Sequence, residues 1–433
     1  MTLSLPTIPS VPLNRLDELF LTLDDGEEPW NVHFEVRVGE PMDGDRLADA
    51  IATAALRHPL ARARLADWSY RDRGYRWEIA GALLDVPLEI VTCADEAAVA
   101  AARERLLSRS PALDAAPPFT ILLARGPVAD TLVLNLHHAA GDGIAAARLM
   151  VSILRAYAGA DDPVPALDPL AVRDVRALAG ATSFADRVVR MRALARHGAQ
   201  QSVRAARVAG DGGGDRAGYG VVQLALSCAQ TEAVMARRTD GTTVNDVLLA
   251  ALAVTVRRWN GAHSSNARRV TLSMPVNLRP PEWRTEVVGN FASYVTISGT
   301  VADDFAAALE CVGRQTREVK RDGLAGVVVD LLAGYSMLTI AAKRRLPQMI
   351  RMTGDAAVDT VSLSNLGTLA PMGDAVEAVW FSPPGRMPLG AALGVATYDD
   401  QLHLALRYRH TQFDAPAAHA FAQLYRGELL ASG

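Results

Sequence analysis

The stretch Thr131 to Gly143, TLVLNLHHAAGDG, decides how this chain reads. Its first six residues are apolar enough for a central strand, and the helical spacing over Ile144 to Ala158 predicts a strand, a short loop and a helix. Two histidines stand at the strand's end. Side chains alternate across a strand, so Leu134, Leu136 and His138 share one side and His137 points the other way. One of the pair, not both, is therefore expected to serve as a base. Imidazole has the pKa that suits proton abstraction near neutrality, and a strand end holds it rigidly at the edge of whatever cleft lies beyond. Asp142 follows a turn at Gly141 and has two possible tasks, acid–base chemistry or a buried ion pair that fixes the loop. Gly143 comes where a side chain would obstruct the backbone turn or a ligand. The plain structural alternative is a packed histidine pair with Asp142 capping the helix.

Working outward, Trp30 to Val38 alternates apolar and polar residues as a half-buried strand does, and Arg46 to Arg64 switches to helical spacing. Short strands are predicted at Tyr75 to Ile79, Pro87 to Val91 and Pro118 to Ala124, with an alanine-rich helix over Ala94 to Ser108. Pro163, Pro165 and Pro169 mark a break, after which Ser183 to Val208 is arginine-rich and helix-compatible. The run Gly210 to Asp215, GDGGGD, has no strand before it and lacks the Lys and Ser/Thr of a phosphate loop. It reads as flexible linker.

In the second half, strands are predicted at Val221 to Ser227, Val270 to Pro275, Ala292 to Ser298, Thr360 to Leu363 and Val376 to Phe381. Leu389 to Thr397 and Leu402 to Tyr408 read as a hairpin. Thr243 to Trp259, much of Leu324 to Met352 and Ala415 to Leu430 read as helices, the first opened by a capping box of Thr243 and Asp246. The expected architecture is α/β in two lobes. Residues 1–165 carry the histidines, 166–218 form a helical and glycine-rich connector, and 219–433 form the second lobe.

Composition removes other readings. The 433 residues hold 44 Lys+Arg against 48 Asp+Glu, a net charge of -4, which offers no global attraction to nucleic acid. Lys320 and Lys343 are the only lysines, and neither sits in a phosphate-loop motif or at an apolar strand end, which argues against P-loop and Schiff-base chemistry. Cys93, Cys228 and Cys311 stand far apart, so neither a disulfide framework nor a Cys-rich zinc site is expected. Met1 to Pro12 does not read as a signal peptide. The longest apolar run, Val247 to Val256, is about half of the ~20 residues a membrane span needs. A cytoplasmic protein is expected.

These residues bring a resemblance into view. The chain resembles the superfamily of thioester-dependent acyltransferases that includes chloramphenicol acetyltransferases, peptide-synthetase condensation domains, polyketide-associated acyltransferases and bacterial wax ester synthase/diacylglycerol acyltransferases. The HHxxxDG motif at 137–143 carries it, and other landmarks extend it over nearly the whole chain. PLNRLDELF at 12–20 and TVNDVLLAAL at 243–252, with RRW at 257–259, look like wax-synthase-type segments. RHPLARAR at 57–64 is similar to condensation domains, and MPVNLR at 274–279, VGN at 288–290 and SLSNLG at 362–367 look like later landmarks.

The resemblance implies two chloramphenicol-acetyltransferase-like lobes in a pseudo-dimer, with a tunnel between them that donor and acceptor enter from opposite sides. His138 matches the family's general base, or the group that positions the acceptor, and Asp142 matches an aspartate that pairs with an arginine of the second lobe, here Arg279. Asn365 is the candidate for the oxyanion end of the tunnel, with a backbone N–H near Gly143 as a second donor, and Asn290 is a turn or tunnel-wall residue. The implied donor is a phosphopantetheine thioester of CoA or of an acyl or peptidyl carrier protein, with no bound cofactor, metal or covalent acyl-enzyme.

Arg187 to Arg207 and Lys343 to Arg351 are basic enough to dock an acidic carrier or meet a membrane surface, or are simply solvated faces. The opening motif of modular condensation domains is not recognisable, a DFGWG segment is absent, and Asn365 is followed by Leu-Gly-Thr-Leu rather than Pro-Gly-Pro. The resulting expectation is a stand-alone acyltransferase of specialised metabolism acting on a small alcohol or amine, with esters modestly favoured. Amide-forming condensation, wax ester or diacylglycerol synthesis, and a catalytically silent carrier-binding relative are the alternatives.

Overall fold

The computed structural model describes residues 8–24, 28–164, 166–199, 205–265, 269–283, 286–299, 304–346, 348 and 358–431. In chain order the first half forms β1 (Ser10–Pro12), α1 (Arg15–Leu23), β2 (Asn31–Val38), α2 (Gly44–Arg57), β3 (Ala63–Leu65), β4 (Arg76–Ile79), β5 (Leu88–Thr92), α3 (Glu96–Leu107), β6 (Phe119–Arg125), β7 (Asp130–His137) and α4 (Gly143–Ala158). Helices α5 (Val175–Ala179) and α6 (Phe184–Ala199) lead into β8 (Tyr219–Ala225), α7 (Cys228–Ala236), α8 (Val244–Ala262), β9 (Thr271–Asn277) and β10 (Ala292–Ser298). The chain continues through α9 (Phe305–Arg321), α10 (Leu324–Tyr335), α11 (Ile340–Lys343), β11 (Val361–Thr368), β12 (Val376–Ser382), β13 (Ala391–Tyr398), β14 (Gln401–Arg409) and α12 (Ala415–Leu430).

Two large sheets organise these elements. The first has strand order β12-β2-β7-β6-β5 and the second β10-β9-β11-β13-β14-β8, while β1, β4 and β3 form a small third sheet. Strand β12 comes from the second half of the chain yet pairs antiparallel with β2, from Val376 opposite Val38 to Ser382 opposite His33. That crossover covers an edge of the first sheet, which would otherwise expose unpaired backbone groups. A buried polar chain fastens it: His33 joins the Ser382 hydroxyl at 3.0 Å and Glu35 at 3.0 Å, and Glu35 takes Arg103 at 2.5 and 2.7 Å. Arg407 of β14, fully buried, reaches the other way and donates to the backbone and side chain of Asn31.

Each sheet packs its own core. Leu132, Leu134 and Leu136 of β7 join α2 and α4 in the first, and Val133 packs on the opposite face with Val99 and Ala102 of α3. The second core forms around α8, which is buried on all sides from Asp246 to Val256, as a helix apolar all round must be. Its Thr243–Asp246 capping box is present, and Asp246 also accepts the Thr316 hydroxyl of α9.

Several local expectations change. The helix expected over Arg46 to Arg64 stops at Arg57, because Pro59 disfavours helical backbone at the residue before it and cannot donate to the ladder. The segment Leu324 to Met352 breaks into α10 and α11, with residues 347 and 349–352 outside the described set. The glycine run is not a loose linker. Asp211 N–H donates to the Gln412 carbonyl and Gly214 N–H to that of His410. A Cβ on Gly213 would fall 2.4 Å from the Thr411 carbonyl oxygen, so glycine is needed for close backbone approach. Of the two basic stretches, residues 200–204 and 347 with 349–351 lie outside the described residues, and Lys343 is buried against Glu18 at 2.6 Å rather than presented to a partner.

Candidate functional site

Strand β7 is central, paired with β2 on one side and β6 on the other. The pairing continues one residue past its end, where the His138 N–H donates to the Trp30 carbonyl at 2.8 Å. The His138 ring stacks on Phe20 of α1, centroids 4.1 Å apart and planes 17° from parallel, with the Trp30 ring at 6.2 Å. Its Nδ1 is buried without a hydrogen bond of good geometry, the acceptor facing it being its own backbone carbonyl. Burial pushes the His138 pKa down to about 4, against the upward pull of that carbonyl and of Asp142. The imidazole is therefore neutral at physiological pH.

His137 does something else. Its Nδ1 accepts the Ala139 N–H at 3.1 Å, so the proton of the neutral ring sits on Nε2, which faces Asp24 Oδ2 at 3.3 Å. Asp24 also accepts from the Trp30 N–H and the Ser110 hydroxyl. Burial alone would raise that carboxyl, but the His137 contact and these hydrogen bonds hold it at about 2. His137 thus anchors the end of α1 to the end of β7, while the adjacent ring faces the other way, as alternation along the strand requires.

The Asp142 carboxylate accepts four hydrogen bonds from three residues. It caps α4 by accepting the Ala145 N–H at 3.0 Å, accepts the Phe291 N–H at 2.9 Å, and takes both terminal nitrogens of Arg279 at 2.7 and 3.1 Å. Arg279 donates further to the carbonyls of Val287 and Gly289 and lies 4.5 Å above the Phe291 ring. Both residues are buried, and a bidentate pair this fully hydrogen-bonded sets loop geometry. At Gly143, the first residue of α4, a Cβ would stand 2.6 Å from the Phe381 ring and 2.7 Å from Leu366, so those side chains would have to shift to admit it.

A cavity of about 350 Å³ opens beside His138, between the lobes. One wall is apolar, with Phe20, Leu23, Trp30 and Phe381. The other comes from the second sheet and carries Ser273, Tyr294, Asp359, Ser362 and Ser364. Burial lifts the Asp359 carboxyl to about 6, even though the hydroxyls of Thr271 and Thr296 hydrogen-bond to it and Arg269 and Arg207 lie nearby.

The structure brings together His138, Asp142 and Gly143 at this cavity, with Arg279 directly behind Asp142. Asn365 is not on the wall. Side chains alternate along β11, so Ser362 and Ser364 face the cavity, and the Asn365 side chain turns back to accept the Gly367 N–H at 2.9 Å. Asn290 is also off the wall: it is fully buried, and its carbonyl accepts the Asn14 side chain that caps α1. The sequence reading missed Phe20, Trp30 and Asp359 as cavity residues. Phe20 ends the PLNRLDELF landmark and Trp30 precedes a strand, but nothing local to Asp359 marks it.

Two lobes, each a sheet backed by helices, meeting over a histidine loop at the end of a central strand, have the fold of condensation domains. The first condensation domain of the calcium-dependent antibiotic synthetase superposes with a TM-score of 0.71 at 16% identity, over 98% of this chain and 96% of that one. The epimerization domain from the third module of tyrocidine synthetase B gives 0.65 at 17% identity over 98% and 96%, and the SgcC5 protein of Streptomyces globisporus gives 0.66 at 18% over 97% and 98%. No family model matches the sequence. The chain belongs to one family with the uncharacterized protein Rv2305 of Mycobacterium tuberculosis and its counterpart in a second strain, each 38% identical over 96% of this chain and 98% of the relative.

Proposed function

We propose that the chain is a cytoplasmic acyltransferase that moves an acyl group from a thioester, on CoA or on a carrier protein's phosphopantetheine arm, to an alcohol or amine. The observation that carries this reading is His138: a neutral imidazole, clamped by stacking on Phe20, on the wall of a cavity between two lobes. With Nδ1 held toward its own carbonyl, Nε2 is the nitrogen with a lone pair to offer. An acceptor hydroxyl gives its proton to Nε2 as its oxygen attacks the thioester carbonyl. The tetrahedral intermediate then collapses, the carbon–sulfur bond breaks, and the thiolate leaves with the proton that His138 returns.

Charge on the carbonyl oxygen needs donors aimed at it. With Asn365 off the wall, the Ser364 hydroxyl and the N-terminal end of α4 at Gly143 are the groups the cavity supplies. Ester formation is favoured over amide formation because the SgcC5 structure holds an aryl ethanediol, an alcohol, in the same fold. A carrier-bound donor is supported by the synthetase domains among the structural neighbours. Among the described residues no helix is long and apolar enough to cross a membrane.

The test is to incubate the protein with acyl-CoA and acyl-carrier donors against panels of alcohols and amines, following thiol release and product mass. His138→Ala is expected to lose at least about 100-fold in turnover with its fold unchanged. Equal turnover in the two proteins would refute the mechanism, and no turnover with any thioester would leave a carrier-binding relative.

A further inference from the structure

A second cavity, about 160 Å³, lies behind the first. It is lined by Ile144, Ala147 and Val151 of α4 and by Leu366, Leu369 and Met372, with Arg155 and Glu286, each more than a third exposed, among its polar groups. Gly143 and Phe381 border the larger cavity, while the next residue of α4, Ile144, and Leu366 border the smaller. What separates the two at α4 is therefore the Phe381 ring and the Leu366 side chain meeting over the bare Cα of Gly143.

Leu366 lies two residues beyond Ser364, on the same face of β11 as Ser362 and Ser364. The pairing of β11 with β13 shifts register between Asn365 and Thr368, and Gly367 sits at φ +75°, a left-handed backbone that glycine adopts without strain. A bulge re-aims the side chains next to it. Phe381 is the penultimate residue of the crossover strand β12.

We infer that Leu366 and Phe381 form a septum between two halves of one substrate channel passing His138, and that the bulk of Leu366 sets which groups cross it. This rests on the acyl-transfer reading, which it deepens by assigning a size filter. Gly143 supplies the gap in which the two side chains meet. On the far side a crossing group meets Ile144, Val151, Leu369 and Met372 beside the Arg148 and Arg155 guanidiniums and the Glu286 carboxylate.

Two measurements test it. Rates are compared for Leu366→Ala, Leu366→Val and Leu366→Phe across a series of acyl-CoA donors of increasing branching and a series of alcohols of increasing bulk. In at least one series, Leu366→Ala should raise kcat/KM for the bulkiest member at least tenfold relative to the smallest, Leu366→Val less so, and Leu366→Phe should lower it. Bulk preferences unchanged within twofold in both series, for all three variants, would overturn the proposal. The series that responds identifies which substrate crosses. Xenon-pressurised crystals give a readout independent of turnover. Leu366→Ala should bind a xenon atom bridging the two cavities where wild type does not, and cavities still separated in that variant would count against the septum. Should wild type turn over no thioester at all, the acyl-transfer reading fails and the xenon result alone decides whether the septum exists.

Discussion

Arg279 closes on Asp142 from the other lobe with both terminal nitrogens, Nη1 at 2.7 Å from Oδ2 and Nη2 at 3.1 Å from Oδ1. The same carboxylate caps α4 and takes the Phe291 N–H, leaving it saturated and unavailable as an acid or base. Removing the arginine strands a buried charge. Arg279→Ala should cost about 3–5 kcal/mol in chemical denaturation, and Arg279→Lys less, because it keeps the charge but loses the fork. A loss under about 1 kcal/mol in Arg279→Ala would mean the pair does not hold the loop.

Burial of His138 makes a pH prediction. An imidazole with a pKa of about 4 stays neutral well below the ordinary value of 6.5, and only the neutral ring accepts a proton. The acid limb of kcat/KM should accordingly fall near pH 4 to 5, with activity retained at pH 6. A limb at 6.5 would show the His138 ring to be solvated.

Gly143→Ala places a methyl within 2.6 Å of the Phe381 ring and 2.7 Å of Leu366. The close atoms belong to side chains and not to backbone, so folding should survive while the proposed acyl transfer drops at least about 100-fold, as a misplaced reacting geometry allows. Circular dichroism with a thiol-release assay separates the two effects.

The crossover strand is fastened by a buried polar chain as well as by its apolar contacts. Glu35→Ala would leave Arg103 buried without its carboxylate, at a cost of about 3–5 kcal/mol. His33→Ala removes the link to Ser382, so amide exchange across 376–382 should quicken before exchange in β13 and β14 does.

His403 is a buried imidazole whose two nitrogens lack hydrogen bonds of good geometry, packed edge-on against Trp380. Burial holds its pKa at about 4, against the pull of the Tyr398 backbone. His403→Phe keeps the ring shape and removes the unpaired groups, so it should raise stability by about 1 kcal/mol at neutral pH. Since the folded pKa lies below the unfolded one, wild type loses stability through His403 as pH falls from 6.5 to 4, and the variant lacks that contribution. The gap between them should widen across that window by up to roughly 3 kcal/mol in denaturation measured at each pH.

Much of the site was legible because its residues are contiguous. A strand ending in two histidines reads from its apolar run, alternation separates His137 from His138, and an aspartate before a helical pattern reads as a cap. The same local logic found α8 with its capping box, and β13 with β14 around Asp399 and Asp400, whose positive φ values suit a two-residue turn. It failed at Asn365, where counting along a strand could not tell which face meets the cavity. It also failed at the glycine run, where what decides conformation is a segment two hundred residues away.

Local sequence determined the secondary elements and the loop that carries His138, since both follow from periodicity and from the conformational limits of neighbouring residues. Only the tertiary structure decided that β12 crosses to β2, that Phe20 clamps His138, and that Phe381 and Leu366 meet over Gly143. The reason is physical: strand pairing, stacking and cavity walls depend on which surfaces approach in space, and a residue's own neighbours in the chain carry no record of the partner it will meet.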